Sequence, residues 1–279
     1  MKYIAILLTV HNRKNSTLRC LQCLYAGNPV KGYTTEVWLT DDGCTDGTPE
    51  AVSTLYPEIN IVTGDGNCYW NRGMYMAWQA AAEYRDYDYY LWLNDDTYIY
   101  PYFLYSLCRA AEFTTSRAII VGATRDRRYR QITYGGWIDQ HIITPNEELT
   151  QVDYFNGNIV LVPRVVFKRI GNLDYYFVHS KGDFDYGLRA KKAGFSIFQC
   201  GRFLGECERH STPDIWCNPR YRIKQRLKAM YRPTGMPPHE IFHFDLRHYG
   251  FLSAIFHYCT VYLRCLCPKL WKYSSIPQL

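Results

Sequence analysis

Apolar residues fall into two kinds of run along the first part of the chain. Short blocks at Tyr3–Val10, Glu36–Thr40, Ile59–Thr63, Tyr89–Leu93 and Ala118–Val121 have the length and residue types of buried strands. Between them, apolar positions recur three and four residues apart: over Asn15–Tyr25, over Thr48–Tyr56 with Pro49 in its first turn, over Asn71–Tyr84 and over Tyr102–Phe113. This alternation of strand and helix predicts an α/β fold with a mostly parallel sheet flanked by helices.

The pattern then changes. Residues 123–154 are polar and turn-rich around Gly135-Gly136-Trp137, and read as an insertion or lid. A strand is expected over Asn158–Val162, a short helix from Pro163, a helix over Asp183–Ala193 closed by Gly194, and a strand over Phe195–Gln199. Past residue 210, Pro213, Pro219, Pro233, Pro237 and Pro238 leave helical pieces near 219–231 and 239–268. The expected organisation is an α/β domain over 1–210 and a helical extension over 211–279.

Composition sharpens this. A chain of 279 residues with 47% hydrophobic and 21% charged residues is globular, not disordered or fibrous. Eleven cysteines, odd in number and scattered, follow an N-terminus that opens directly on a strand-like run. That points to reduced thiols in a cytoplasmic protein. The net charge of +6 is uneven, because residues 201–279 carry 12 Lys and Arg against 5 Asp and Glu. Such a surplus suggests an acidic partner for the C-terminal part. No nucleic-acid motif appears, and no apolar window is long enough to span a bilayer. The stretch Phe244–Lys272 mixes apolar residues with Arg247, Arg264, Lys269 and Lys272, as expected of a segment lying on an anionic membrane surface or of one packed against its own domain or another subunit.

Open α/β sheets bind ligands beyond the carboxyl ends of their strands. Four strand-like runs deliver polar clusters there: Thr9-Val10-His11-Asn12-Arg13, then Asp41 to Thr48, then Gly64 to Gly73, then Asn94-Asp95-Asp96-Thr97. The pair Asp95-Asp96 follows an apolar run, where carboxylates call for a cation. Neighbouring residues of an extended chain point to opposite sides, so one of the two is expected to touch the cation directly. Hard oxygen donors of this kind suit Mg²⁺ or Mn²⁺ bridging phosphates.

Thr9-x-x-Asn12-Arg13, Asp41-Asp42-Gly43-Cys44-Thr45-Asp46-Gly47-Thr48, Leu93-Asn94-Asp95-Asp96 and Gly182-Asp183-Phe184-Asp185 through Arg189-Ala190 together resemble glycosyltransferase family 2, over roughly residues 3–210. The resemblance implies a GT-A fold and an inverting, hexosyltransferase-type enzyme. It would use a nucleotide-diphosphate sugar donor, a divalent metal and a saccharide or lipid-linked acceptor. Rhamnosyltransferase-like members are the neighbourhood to which it points, which implies work on a cell-surface polysaccharide.

Residue by residue, it implies that Thr9, His11, Asn12, Arg13, Asp41, Asp42 and Asp95 line the donor, with Gly66, Asn71 and Arg72 beside them. Asp96 would ligate the metal, with His210 as a further metal candidate, and Asp183 would be the general base. The residues themselves suggest that Asn156 and Gly157, just before a strand, border the acceptor; that Trp137 stacks on a sugar ring or closes a loop over the core; and that Asp185 orients Asp183, touches the acceptor or caps the same helix. His11 stands where tyrosine is more usual, Asn94 replaces the first acid of an Asp-x-Asp pattern, and Gly182 replaces a glutamate.

Other readings of the residues compete. Asp183 sits where a carboxylate also caps a helix, and a nucleotide-sugar-binding scaffold without transfer activity would keep the same pocket. A sugar-phosphate nucleotidyltransferase shares the acids, but normally has a glycine-rich loop after its first strand, and Thr9–Lys14 contains no glycine.

Overall fold

The computed structural model describes residues 1–209 and 214–270. The strands and helices run β1 (Lys2–Val10), α1 (Lys14–Tyr25), β2 (Tyr33–Asp41), α2 (Thr48–Leu55), β3 (Asn60–Thr63), α3 (Tyr69–Tyr84), β4 (Tyr89–Leu93), β5 (Tyr98–Ile99), α4 (Phe103–Phe113) and β6 (Ala118–Arg125). The chain continues through β7 (Ile132–Tyr134), β8 (Gly136–Ile138), β9 (His141–Ile142), β10 (Thr150–Gln151), β11 (Tyr154–Phe155), β12 (Ile159–Pro163), α5 (Arg164–Ile170), α6 (Gly182–Lys192) and β13 (Ser196–Glu206). Three helices follow: α7 (Ile223–Met230), α8 (Pro238–His248) and α9 (Phe251–Leu266).

The main sheet has the order β10-β13-β6-β12-β4-β1-β2-β3. β1 pairs in parallel with β2 and β4, β2 with β3, and β13 with β6. The expected mostly parallel sheet is therefore present. Its central exception is β12, which runs antiparallel between β4 and β6. That reversal sets the start of β12 beside the end of β4, with Ile159 opposite Leu93.

Side chains alternate across each strand, so β1 feeds two cores. Ile4, Ile6 and Leu8 pack on one face with α1 and α4, while Ala5 and Leu7 join Met74, Trp78, Trp92 and Tyr186 on the other. The strands and helices expected in the first part of the chain are present, with ends shifted by a few residues. The clearest difference lies in 123–154. β6 extends to Arg125 and pairs with β7, and β11-β8-β9 form a small second sheet. Glycines set this packing: a Cβ on Gly136 would meet Val152 at 2.7 Å. Three-residue strands separated by turns carry too little periodicity to be seen in sequence.

The C-terminal helices build a small core of their own around Trp216, Ala229, Met230 and Cys265. α8 also packs Phe244 against Phe177 and Phe184, at the start of α6.

Candidate active site

The four strand exits meet along one edge of the sheet, and most of their polar groups build the loops themselves. Asp41 Oδ1 accepts the Cys44 N–H at 2.8 Å, closing a turn. Asp42 is 3% exposed. Its Oδ1 accepts from the backbone N–H groups of Gly66 (2.9 Å) and Cys68 (3.0 Å), and its Oδ2 from Tyr69 (2.9 Å). That carboxylate ties the end of β2 to the start of α3, where a helix N-terminus favours an anion. Gly43 and Gly66, both with positive φ, let the two loops touch; a Cβ on Gly43 would lie 2.9 Å from the Gly66 Cα. Asn12 Oδ1 accepts the Thr45 N–H at 2.7 Å, and His11 Nδ1 lies 2.5 Å from the Asp42 carbonyl oxygen. Asp46 receives the N–H of Lys14 at 2.9 Å and of Thr48 at 3.1 Å, so one side chain holds the starts of α1 and α2.

Several expected donor contacts are therefore inward-facing. Asp42 and Gly66 are committed to each other. Thr9 lies beneath α3, where a Cβ on Gly73 would meet its Oγ1 at 2.0 Å. Asn71 is wholly buried and donates to the carbonyls of Asp174 (2.8 Å) and Phe177 (2.7 Å). Its Oδ1 abuts Gly182, where a Cβ would come within 1.7 Å. Glycine replaces the glutamate at 182 because Asn71 fills that space from α3. Arg72 is half-buried, donates to the Tyr175 carbonyl at 3.0 Å and lies over the Tyr175 ring.

Asp95 and Asp96 converge on one point. Arg13 Nη1 is 3.2 Å from Asp95 Oδ1 and 2.7 Å from Asp96 Oδ2. The strand has ended at Leu93, so the expectation that only one of the pair faces the cation does not hold for the guanidinium. Burial pushes the Asp95 carboxyl up to about 7, with Arg13 opposing and Asp96 adding to the rise. Asp96 is more exposed, and its Oδ1 accepts the Cys207 thiol at 3.6 Å.

Two carboxylates aimed at one cationic group are the donor set a hard divalent ion takes. Asp95 and Asp96 thus fit Mg²⁺ or Mn²⁺. A second group, Asp42, Asp65 and Cys68, has ligand atoms within 4.8 Å of one another. It fits poorly, since Asp42 is occupied by three amides and burial pushes the Cys68 thiol to about 12. His210 lies outside the described residues.

Asp183 stands at the start of α6. Its Oδ1 accepts the Phe184 N–H (2.8 Å) and its Oδ2 the Gly157 N–H (3.0 Å). Burial in the protein pushes its carboxyl up to about 6, against these amides and the Lys181 charge. Gly157 immediately precedes Asn158, whose carbonyl accepts the Asn94 N–H at 3.1 Å. A short backbone path therefore joins the base candidate to the Asp95-Asp96 pair across the β12–β4 seam. Trp70 touches both sides of the seam: its indole N–H donates to Asn94 Oδ1 at 2.7 Å, and its ring fills the space a Gly157 Cβ would need.

Three of the residues expected on the acceptor side turn inward. Trp137 is 6% exposed, stacks parallel to Tyr154, and donates its indole N–H to Asn156 Oδ1 at 2.8 Å. Both Trp137 and Asn156 brace the wall behind Gly157, and neither offers a free ring face or amide oxygen for a sugar. Asp185 is fully buried and bound by Arg189 (2.7 Å), Arg247 (2.7 Å) and His248 (2.9 Å). Burial alone would raise its carboxyl, but His248 and the two guanidiniums outweigh it and hold the group at about 2. It fastens α8 to α6 and is closed to an acceptor.

Sequence reasoning did not assign Trp70, Asn94 or Lys181 a role. Trp70 and Asn94 lie in the strand exits and were open to notice there. Lys181 precedes the base candidate in a left-handed conformation (φ 72°), and burial lowers its ammonium to about 8.

The sequence profile described as glycosyl transferase family 2 matches residues 5–171. The chain belongs to glycosyl transferase family 2. This glycosyltransferase is also similar in fold to S. aureus TarS. Residues 1–349 of TarS align with a TM-score of 0.57 at 14% identity, covering 92% of this chain and 72% of that one. A longer TarS chain aligns with the same score over 44% of its length. The TarS complex with UDP-GlcNAc gives a TM-score of 0.54 at 14% identity, covering 92% of this chain and 73% of that one. At that identity the likeness shows the shared GT-A fold. A search of curated protein sequences finds no match.

Proposed function

We propose that this glycosyltransferase moves a sugar from a nucleotide-diphosphate sugar to a hydroxyl of a saccharide or lipid-linked acceptor, with inversion, in cytoplasmic assembly of a surface glycan. The observation that carries the reading is the Asp183–Gly157 hydrogen bond, which holds a carboxylate of raised pKa at the same sheet edge as Asp95 and Asp96. TarS, which shares the fold, is known in complexes with UDP and with UDP-GlcNAc, and this supports a nucleotide-sugar donor.

In this reading Asp183 takes the proton from the acceptor hydroxyl as its oxygen bonds to the anomeric carbon. The bond from that carbon to the diphosphate breaks on the opposite face, and its electron pair leaves with the diphosphate. A carboxyl near 6 is mostly ionised at neutral pH and still basic enough to accept a proton. The two amides hold its oxygens in place. Asp95 and Asp96 would hold Mg²⁺ or Mn²⁺, which supplies positive charge for the departing phosphate. Arg13, between the two acids, adds a fixed positive charge at the same place.

The test compares Asp183→Asn with wild type for donor binding by thermal shift and for transfer by product analysis. Donor binding should persist and transfer should fall by about 10² to 10⁴. Transfer at the wild-type rate removes Asp183 as the base.

A further inference from the structure

The surface of α9 has its polarity reversed. A helix at the edge of a soluble protein turns its apolar stripe inward and its polar residues outward. In α9 the exposed positions are Phe251, Leu252, Ile255, Phe256, Tyr258, Cys259, Leu263 and Leu266, with Leu252 83% and Phe256 63% exposed. At 100° per residue these positions form one continuous stripe without a charged side chain. The polar residues lie on the other side. His257 binds Asp245 at 2.9 Å, and the Arg264 guanidinium lies over the Trp216 ring. Leu246, Tyr249 and Leu270 extend the exposed apolar surface beyond both ends of the helix. A patch of this kind marks an interaction surface.

The charges around it select the occupant. Residues 215–279 contain ten Lys and Arg and two acids, Glu240 and Asp245. Both acids are buried, at 2% and 4% exposure. Among the described residues from 215 to 270, every exposed charge is therefore positive, including Lys224, Lys228 and Lys269. A second copy of this chain would bring the same positive rim against itself. An anionic lipid surface would meet the rim with opposite charge and take the stripe into its acyl boundary. No helix among the described residues is long and apolar enough to cross a membrane. Lying in the interface plane is the remaining way to bury such a stripe in lipid.

We propose that α9 docks this glycosyltransferase onto an anionic membrane surface, its apolar stripe immersed and the basic rim on the headgroups. The inference goes beyond the transfer reaction, since it concerns where the enzyme sits, and it is tested without measuring activity. The full chain is floated with phosphatidylcholine vesicles and with vesicles that also contain phosphatidylglycerol. Wild type should float with the anionic vesicles, remain behind with the neutral ones, and be released as salt rises.

The double variant Leu252→Glu, Phe256→Glu changes two highly exposed side chains and should stay unbound, with an unchanged circular dichroism melt as the folding control. Lys228→Gln and Lys269→Gln should each lower partitioning by about fivefold. Equal flotation of wild type and the double variant overturns the proposal, as does equal binding to neutral and anionic vesicles. So does a wild type that binds neither vesicle but runs as a dimer that the double variant abolishes, which would assign the stripe to a second copy.

Discussion

Asp183→Asn should gain stability relative to wild type as pH rises, while it removes transfer. The carboxyl titrates near 6 in the fold and near about 3.9 in an unfolded chain. Its ionised form is therefore disfavoured by folding. The sign follows: the penalty is fully present above the folded value, shrinks as pH falls from about 6 to about 4, and vanishes below that. The full gap corresponds to roughly 3 kcal/mol, which the partial exposure of Asp183 trims toward about 2 kcal/mol. Asparagine removes the charge, but its NH₂ group cannot accept one of the two backbone N–H bonds, a pH-independent cost of about 1–3 kcal/mol; relative to wild type the variant should therefore gain about 2 kcal/mol between about pH 4 and about pH 8. For a chain of this size that change is a shift of roughly 4–6 °C in the difference between the two melting temperatures. Thermal melts of both proteins across that pH range measure it. The wild-type rate should also lose activity on the acid side through about 6. If the stability difference between variant and wild type does not change with pH, or moves in the variant's favour toward acid, Asp183 is not a desolvated carboxylate and the argument for it as a poised base fails.

Three other residues give separate tests. Arg13→Ala removes a half-exposed cation from Asp95, whose carboxyl near 7 can take up a proton instead, and should cost about 1 kcal/mol; since the guanidinium no longer competes for the same oxygens, Mn²⁺ should raise the melting temperature more in this variant than in wild type. Asp185→Asn breaks the link to Arg189, Arg247 and His248 and should cost about 3–5 kcal/mol at neutral pH. Asp185 titrates near 2, so its stabilisation is complete above about 3.9 and disappears as pH falls toward 2; denaturant melts at two pH values read this. Lys181→Met removes a buried positive charge near Asp183, and the acid limb of the pH–rate profile should move upward by up to about one pH unit.

The alternating order of the sheet and the placement of its polar exits were legible in the sequence because both are local. Four or five apolar residues make a strand wherever they lie, and the residues after a strand leave at its carboxyl edge. The work of each acid was not legible. Asp41, Asp42, Asp46 and Asp183 all sit at turns beside helix starts, and sequence cannot say whether an acid faces a ligand or a backbone N–H. Asp42 takes three amides from a loop more than twenty residues away, and Asp46 takes one from Lys14, 32 residues before it. Asp185 looked like a neighbour of the base open to an acceptor. Its fate was decided by Arg247 and His248, more than sixty residues on. Gly182 read as a departure from the family pattern, yet it follows from Asn71, whose side chain fills the missing residue's place from another helix.

The same long-range contacts bear on how the C-terminal helices relate to catalysis. α8 reaches α6, which begins at the proposed base Asp183, through Phe244 on Phe184 and through Arg247 and His248 on Asp185. Lys181, near Asp183, lies over the Phe184 and Phe244 rings at 5.5 and 5.3 Å. Removing α8 would therefore open that aromatic contact, strand the Asp185 carboxylate in a cavity and alter the charge around Asp183. A chain shortened before residue 240 should lose activity even on a fully soluble acceptor, so its failure would say nothing about membranes. α9 differs, because its stripe faces away from the body while Ala254 and Cys265 face in. Changes confined to Leu252 and Phe256 leave the Asp185 cluster intact. Loss of lipid binding with retained turnover on a soluble acceptor would separate the docking surface from the active site. Loss of both would mean that the stripe supports α6 through α8.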